Sequence, residues 1–204
     1  MPKLDEALLK KAYRHLKKSD HVLAKVISEV GPCTLNRQPN RYRNLLRAIV
    51  GQQISTAAAT SVFNKLEAAV STKTLKPEAV AKLSEEDLRA VGLSSQKVRY
   101  VKDLTEHVLD KRLNLRSLHN KTDEEVIELL TDVKGIGLWT AHMFLMFSLG
   151  RPDVLPWGDL GIQVAMRNLY ELDTLPNRET CLQIAEPWRP YGTIASWYLW
   201  RTVD

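Results

Sequence analysis

Apolar residues recur at the spacing of an α-helix along nearly the whole chain: Leu4, Leu8, Ala12 and Leu16; Leu45, Leu46, Ile49 and Val50; Val98, Val101, Leu104 and Val108; Val126, Ile127, Leu129 and Leu130. Such spacing lines one face of a helix, whereas a strand needs strict alternation, and no segment alternates convincingly. Start signals agree with the periodicity. Ser84-Glu85-Glu86-Asp87 and Thr122-Asp123-Glu124-Glu125 each set a hydroxyl cap before an acidic first turn. Breaks fall at Gly31-Pro32, Pro39-Asn40, Lys76-Pro77, Gly92, Asn114 to Asn120, Gly135 to Gly137, Gly150 to Gly158, Leu175-Pro176-Asn177 and Glu186 to Gly192. No repeat and no low-complexity tail interrupts the pattern. It predicts an all-α fold.

One break stands apart. In Leu129-Leu130-Thr131-Asp132-Val133-Lys134-Gly135-Ile136-Gly137-Leu138-Trp139-Thr140-Ala141 an apolar helix stops at a Gly-x-Gly turn and a second begins at once. Backbone N–H groups at the second helix's start can then face an anion such as a phosphate. A plain tight connection between two helices accounts for the same glycines. Farther on, Leu155-Pro156-Trp157-Gly158-Asp159-Leu160-Gly161-Ile162 carries a lone carboxylate. Asp159 reads as a helix N-cap. That position also keeps a carboxylate ionised, because N–H groups and the helix dipole favour negative charge, so a chemical role is compatible with it.

With 204 residues the chain can bury a substantial core as one domain or two small lobes. A net charge of +5 and a pI near 9.2 permit a polyanionic partner without requiring one. Cys33 and Cys181 lie far apart and outside any Cys-x-x-Cys pair, which argues against a disulfide framework or thiolate metal site and for free buried thiols. The five histidines, His15, His21, His107, His119 and His142, show no i, i+4 pairing with a carboxylate at metal spacing, so neither a zinc site nor a catalytic triad is expected. The charged N-terminus lacks a signal core, and no apolar run approaches the roughly 20 residues of a membrane span. An intracellular protein is expected.

Four segments in order carry a resemblance. Arg47-Ala48-Ile49-Val50-Gly51-Gln52-Gln53-Ile54-Ser55, then Val91-Gly92-Leu93-Ser94-Ser95-Gln96-Lys97, then the Gly-Ile-Gly run with Asp159 beyond its second helix, and finally Trp188-Arg189-Pro190-Tyr191 to Trp200-Arg201 together resemble the helix-hairpin-helix-GPD superfamily of DNA base-excision glycosylases. Within it, the closest likeness is to the 3-methyladenine DNA glycosylase II class. The resemblance covers most of the chain. It implies a six-helix lobe over about residues 43–149, carrying a minor-groove wedge and the helix-hairpin-helix, and a second lobe from residues 1–42 and 150–204 carrying Asp159. The active cleft would lie between them. Some relatives hold a four-cysteine iron-sulfur cluster, which two cysteines cannot build.

The resemblance also implies roles. Asp159 would be catalytic, its charge stabilising the oxocarbenium-like sugar formed as an N-glycosidic bond breaks and orienting the attacking water. An N-alkylated purine already carries positive charge and leaves neutral, so one carboxylate suffices. Trp139 stands where bifunctional relatives carry a Schiff-base lysine, and tryptophan cannot take that part even if it is only a core aromatic. Lys134, where many relatives have proline, and Lys97 would meet phosphate rather than act as nucleophiles. Gly135 and Gly137 would present amides to a phosphate, with Thr140 in the same DNA-binding set. The carbonyls of Thr131, Val133 and Ile136 would ligate a structural Na⁺ or K⁺. Gln53, otherwise a surface glutamine, would fill the gap left by an extruded nucleotide. Of the aromatic C-terminus, mostly core by area, Trp200 would stack on the flipped base opposite Asp159, with Trp139 beside it. Met143 and Leu160 would line the pocket where some relatives have tyrosines. His142 would pack or touch DNA weakly.

These readings lead to a monofunctional DNA glycosylase that removes 3-methyladenine and 7-methylguanine and leaves an abasic site in base excision repair. The rival from another class is a catalytically silent helix-hairpin-helix protein that binds damaged DNA, and Asp159 discriminates between the two. A glycosylase with lyase activity is disfavoured by Trp139. The expected partner is duplex DNA containing alkylated bases, with no required cofactor, no membrane and a monomeric state. The compartment would be cytoplasm or nucleoid in a bacterium and nucleus in a eukaryote.

Overall fold

The computed structural model describes residues 4–70 and 75–203, and among these there are helices and turns but no strand. The helices are α1 (Glu6–Ser19), α2 (His21–Val30), α3 (Arg41–Gly51), α4 (Thr56–Ala69), α5 (Pro77–Val80), α6 (Glu85–Ala90) and α7 (Ser95–Leu109). They continue as α8 (Asp123–Thr131), α9 (Leu138–Met143), α10 (Leu160–Leu169), α11 (Arg178–Ala185) and α12 (Gly192–Trp200). Short 3₁₀ turns at Leu118–Asn120 and Glu186–Trp188 and a π-helical stretch at Phe144–Leu149 complete the set. Both expected hydroxyl caps form, each completed as a capping box: Ser84 with Asp87 starts α6, and Thr122 with Glu125 starts α8. None of the described helices is long and apolar enough to cross a membrane.

The chain divides into two compact units, Gln38–Phe144 and Met1–Arg37 with Leu145–Asp204. The divisions fall at 38 and 145 rather than at 43 and 150, for local reasons. Asn44 donates to the Gln38 carbonyl (2.8 Å), tying that residue to α3, while Arg37 donates to the Ser148 carbonyl (2.9 Å) and the Arg151 amide to Leu145 (2.9 Å). The π-helical stretch therefore belongs mainly with the termini.

In the terminal unit, Leu8, Ala12 and Leu16 of α1 and Leu23, Val26 and Ile27 of α2 pack with Ile162, Met166, Cys181, Trp188, Ile194, Tyr198 and Leu199. α12 is apolar almost all round and buries seven of its nine residues, as a central helix must. Asp20, only 8 % exposed, caps α2 and joins the two sequence ends of this core. Its carboxylate accepts the Val22 and Leu23 amides (2.9 and 3.0 Å), the Trp188 indole N–H (2.7 Å) and the Tyr170 hydroxyl. Burial alone would raise its pKa, but these hydrogen bonds outweigh that and hold it below the ordinary value.

In the central unit α7 is the main support. Its buried face is Val98, Val101, Leu104, Thr105 and His107, so His107 rather than Val108 points inward. The periodic reading overlooked that this histidine is fully provided for. It lies four residues after Asp103, donates from Nδ1 to the Asp103 carbonyl (2.8 Å), and receives Arg112 at Nε2 (2.9 Å). The Asp103 carboxylate is also 3.5 Å from Nδ1, so the expectation that no histidine pairs with a carboxylate at i, i+4 fails here. The pair is structural: no group of three or more His, Cys, Asp or Glu residues suited to a metal forms among the described residues.

Candidate functional site

Asp159 caps α10, as its position before Leu160 suggested, with Oδ1 accepting the Ile162 amide at 3.0 Å. The same oxygen accepts the indole N–H of Trp200 at 2.9 Å. Trp200, the last residue of α12, stacks on Phe147 with ring centroids 6.1 Å apart. Gly161 makes this approach possible, since a Cβ there would sit 3.1 Å from Asp159 Oδ1 and 3.2 Å from Trp200 Cδ1. The other end of α12 grips the incoming loop. The Gly192 amide donates to Asp153 Oδ1 (3.0 Å), Thr193 donates to the carbonyls of Arg151 (2.6 Å) and Pro152 (3.0 Å), and the Val154 amide returns to Thr193 Oγ1 (3.0 Å). One helix thus fixes both the start and the end of the segment presenting the carboxylate.

In the central unit the hairpin turn follows α8. Gly135 has φ +85°, and a Cβ there would overlap the Tyr100 ring at 2.2 Å, so glycine is required both for the turn and for the packing. Gly137 is different. It caps α9 without a side-chain hydrogen bond, and no atom stands within 4 Å of where its Cβ would be. Gly137, Leu138 and Trp139 are exposed, giving an open helix start. Lys134 is held by Asp103: its amide donates to Oδ2 at 2.8 Å and its largely exposed ammonium lies 3.8 Å from Oδ1.

The turn after α3 carries Gln53, exposed and in the left-handed region at φ 55°. Its neighbour Gln52 donates from Nε2 to the Gly135 carbonyl at 2.7 Å. Lys97 donates to the carbonyls of Val50 and Gln52, each at 2.7 Å, so two of its three ammonium N–H groups close the end of α3. Burial holds its pKa below the ordinary lysine value.

The remaining candidates separate by exposure. Trp139 is 50 % exposed and is not a core aromatic, and Leu160 is 64 % exposed beside Asp159. Met143 is half-buried, and Thr140 is buried, which leaves its backbone rather than its hydroxyl for any contact. His142 is buried, and burial lowers its pKa. Thr131 ends α8, and the Val133 carbonyl already accepts the Ile136 amide at 3.0 Å. Asp159, Leu160 and Trp200 belong to the terminal unit, whereas Gln53, Lys97, the hairpin, Trp139 and Met143 belong to the central one. Sequence reasoning missed Gln52, Tyr100, Asp103 and Phe147. Gln52 left a trace in its place beside the candidate plug, and Asp103 one in its i, i+4 spacing to His107, whereas the contacts of Tyr100 and Phe147 with Gly135 and Trp200 lie on different elements.

The family described as HhH-GPD superfamily base excision DNA repair protein matches residues 46–190. An alkylbase DNA glycosidase-like protein of Schizosaccharomyces pombe is 32 % identical over 197 residues, covering 94 % of this chain and 92 % of that protein. The crystal structure of a DNA-3-methyladenine glycosidase from Bacillus halodurans superimposes with a TM-score of 0.87 at 37 % identity, covering 95 % of this chain and 89 % of that one. The 3-methyladenine DNA glycosylase of Schizosaccharomyces pombe in complex with abasic DNA gives 0.83 at 34 % identity, covering 94 % and 96 %.

Proposed function

Because the chain belongs to the HhH-GPD superfamily of base excision DNA repair proteins, we propose that it is a monofunctional DNA glycosylase that hydrolyses the N-glycosidic bond of alkylated purines in duplex DNA. The observation that carries this reading is the carboxylate of Asp159, held through one oxygen by the Ile162 amide and the Trp200 indole. These two donors fix the side chain's direction and leave it a carboxylate. The charge can therefore face the cationic sugar that develops as the base departs, and water completes the hydrolysis. The similar proteins named above, a 3-methyladenine glycosylase with abasic DNA among them, support the same substrate and product.

Trp139 in place of a lysine leaves no Schiff-base nucleophile at that position, so the product is an abasic site and not a cleaved strand. The hairpin amides would receive a phosphate, which positions the duplex without reading its sequence. The carbonyls of Thr131, Val133 and Ile136 would hold a monovalent cation, which would supply positive charge towards that phosphate. Neutral oxygens at the negative end of α8 suit such an ion, with the Val133 carbonyl sharing its second lone pair. Its part is structural. Gln53 would fill the vacated space, and Trp139 offers the more open ring for a cationic base, Trp200 being turned towards Asp159 and Phe147. The enzyme would act as a monomer inside the cell, where its substrate resides.

The decisive experiment is release of free base from methylated duplex DNA, with products separated by chromatography, alongside trapping with borohydride. Release of 3-methyladenine and 7-methylguanine with no trapped adduct is expected. Duplex binding without release would assign the protein to recognition alone, and a trapped adduct would overturn the monofunctional reading.

A further inference from the structure

We infer that Gln52 and Lys97 are positioning residues that join the turn after α3 to the hairpin turn after α8, so that the two move as one piece. The inference rests on the reading of Gln53 as the plug and the hairpin amides as the phosphate anchor. Lys97 draws together the Val50 and Gln52 carbonyls at 2.7 Å each, groups that a helix C-terminus otherwise leaves without intrahelical partners. Gln52 then reaches across to the Gly135 carbonyl at 2.7 Å. The floor beneath is α7: Lys97, Tyr100 and Asp103 follow at intervals of three on one face, the first holding the plug turn and the other two the hairpin.

Two features make this more than local bracing. Gln53 is a non-glycine residue in the left-handed region, a conformation that persists only when its surroundings impose it, and Gln52 is the neighbour through which they do. A plug that enters the duplex stack must also do so at a set distance from the phosphate that is gripped, since an error of an ångström forfeits the fit. The chain Lys97 to Gln52 to Gly135 sets that distance.

The test compares Lys97→Met, Lys97→Arg, Gln52→Ala and Gln53→Ala in the full chain. Amide hydrogen exchange is read in residues 51–55 and 133–137, together with the affinity ratio of abasic over undamaged duplex and its salt dependence. Lys97→Met and Gln52→Ala should speed exchange in both turns and lower the ratio about tenfold. The slope of log affinity against log salt should stay unchanged, and Lys97→Arg should restore most of the ratio. Adding Gln53→Ala to Gln52→Ala should lower the ratio no further than Gln53→Ala alone does. Faster exchange confined to the altered residue's own turn would overturn the coupling. A Lys97→Met slope shallower by roughly one, with exchange unchanged, would make Lys97 an ordinary phosphate contact. Faster exchange in both turns with a ratio indifferent even to Gln53→Ala would leave the coupling standing and remove Gln53 from the plug role.

Discussion

Asp20 and Asp159 are built alike and do different work. Each caps a helix, each accepts the amide three residues on, and each takes an indole N–H from the C-terminal segment, Trp188 for Asp20 and Trp200 for Asp159. Asp20 adds a second backbone amide and the Tyr170 hydroxyl and is buried. Asp159 is half-buried, next to the exposed Leu160 and Gly158. A carboxylate wrapped in donors on all sides spends its charge on the fold. One that is aimed by an amide and an indole at a half-buried edge can meet a charge that arrives later.

The largest expected effect tests that division at Asp159. Asp159→Asn keeps an oxygen for both donors but removes the charge, so single-turnover base release should fall by roughly 10²–10³ or more while abasic-DNA affinity and thermal stability stay near the parent values. Base release within tenfold of the parent would end its catalytic assignment.

Asp20→Asn should do the reverse, losing roughly 2–3 kcal/mol of stability because an amide cannot accept from every donor now gathered there, with activity per folded molecule preserved. The pH dependence follows from its depressed pKa. Stability supplied by such a group is complete above the unfolded value, roughly 4, and is lost as pH falls through the lower folded value. Denaturant titrations in acid should show that loss in the parent and a flatter limb in the variant. An unchanged limb would mean that Asp20 contributes no such linkage.

A finer distinction comes from the indoles. Trp200→Phe keeps a ring against Phe147 but deletes the N–H to Asp159, and should slow the chemical step about tenfold with little change in duplex affinity. If Trp200 serves only to stack on the base, phenylalanine should be nearly as good. Trp188→Phe should instead lower the thermal midpoint and leave the rate per folded enzyme unaltered.

The smallest change is at Gly137, and the hairpin separates stability from binding at two glycines one residue apart. Gly137→Ala, with open space for its Cβ, should shift stability by no more than about 0.5 kcal/mol yet weaken all duplexes alike. Gly135→Ala must displace the Tyr100 ring and should unfold more readily, roughly 2–4 kcal/mol. Equal stability losses at the two positions would contradict this packing.

The sequence made legible whatever depends on neighbours within a turn or two. The helical repeats, both hydroxyl caps and the Asp159 cap are of that kind, since each partner lies three or four residues away. Even there, Asp103 and His107 were overlooked because an apolar count has no place for a buried histidine with its own acceptor. What stayed hidden depends on distant partners. The resemblance offers Lys97 a phosphate, and only the fold brings it to carbonyls 47 and 45 residues away. Trp200 reads as an aromatic platform, and its hydrogen bond to a residue 41 positions earlier has no local signature. The openness of Trp139 was likewise undecidable, because a tryptophan in an apolar helix start fits a core as well as a pocket.

The grip of α12 on both ends of the Asp159 segment sets an order of events during synthesis. When α10 has left the ribosome, Asp159 can already close its helix cap, but nothing yet aims it, because Trp200 comes 41 residues later. α1 and α2 wait longer still, their apolar faces needing Ile162, Trp188 and Tyr198 while the whole central unit is made in between. A nascent chain halted near residue 190 would therefore carry all of the central unit, hairpin included, before the Asp159 carboxylate meets its indole partner. The hairpin can thus be set before Asp159 is aimed, because the aim waits on α12.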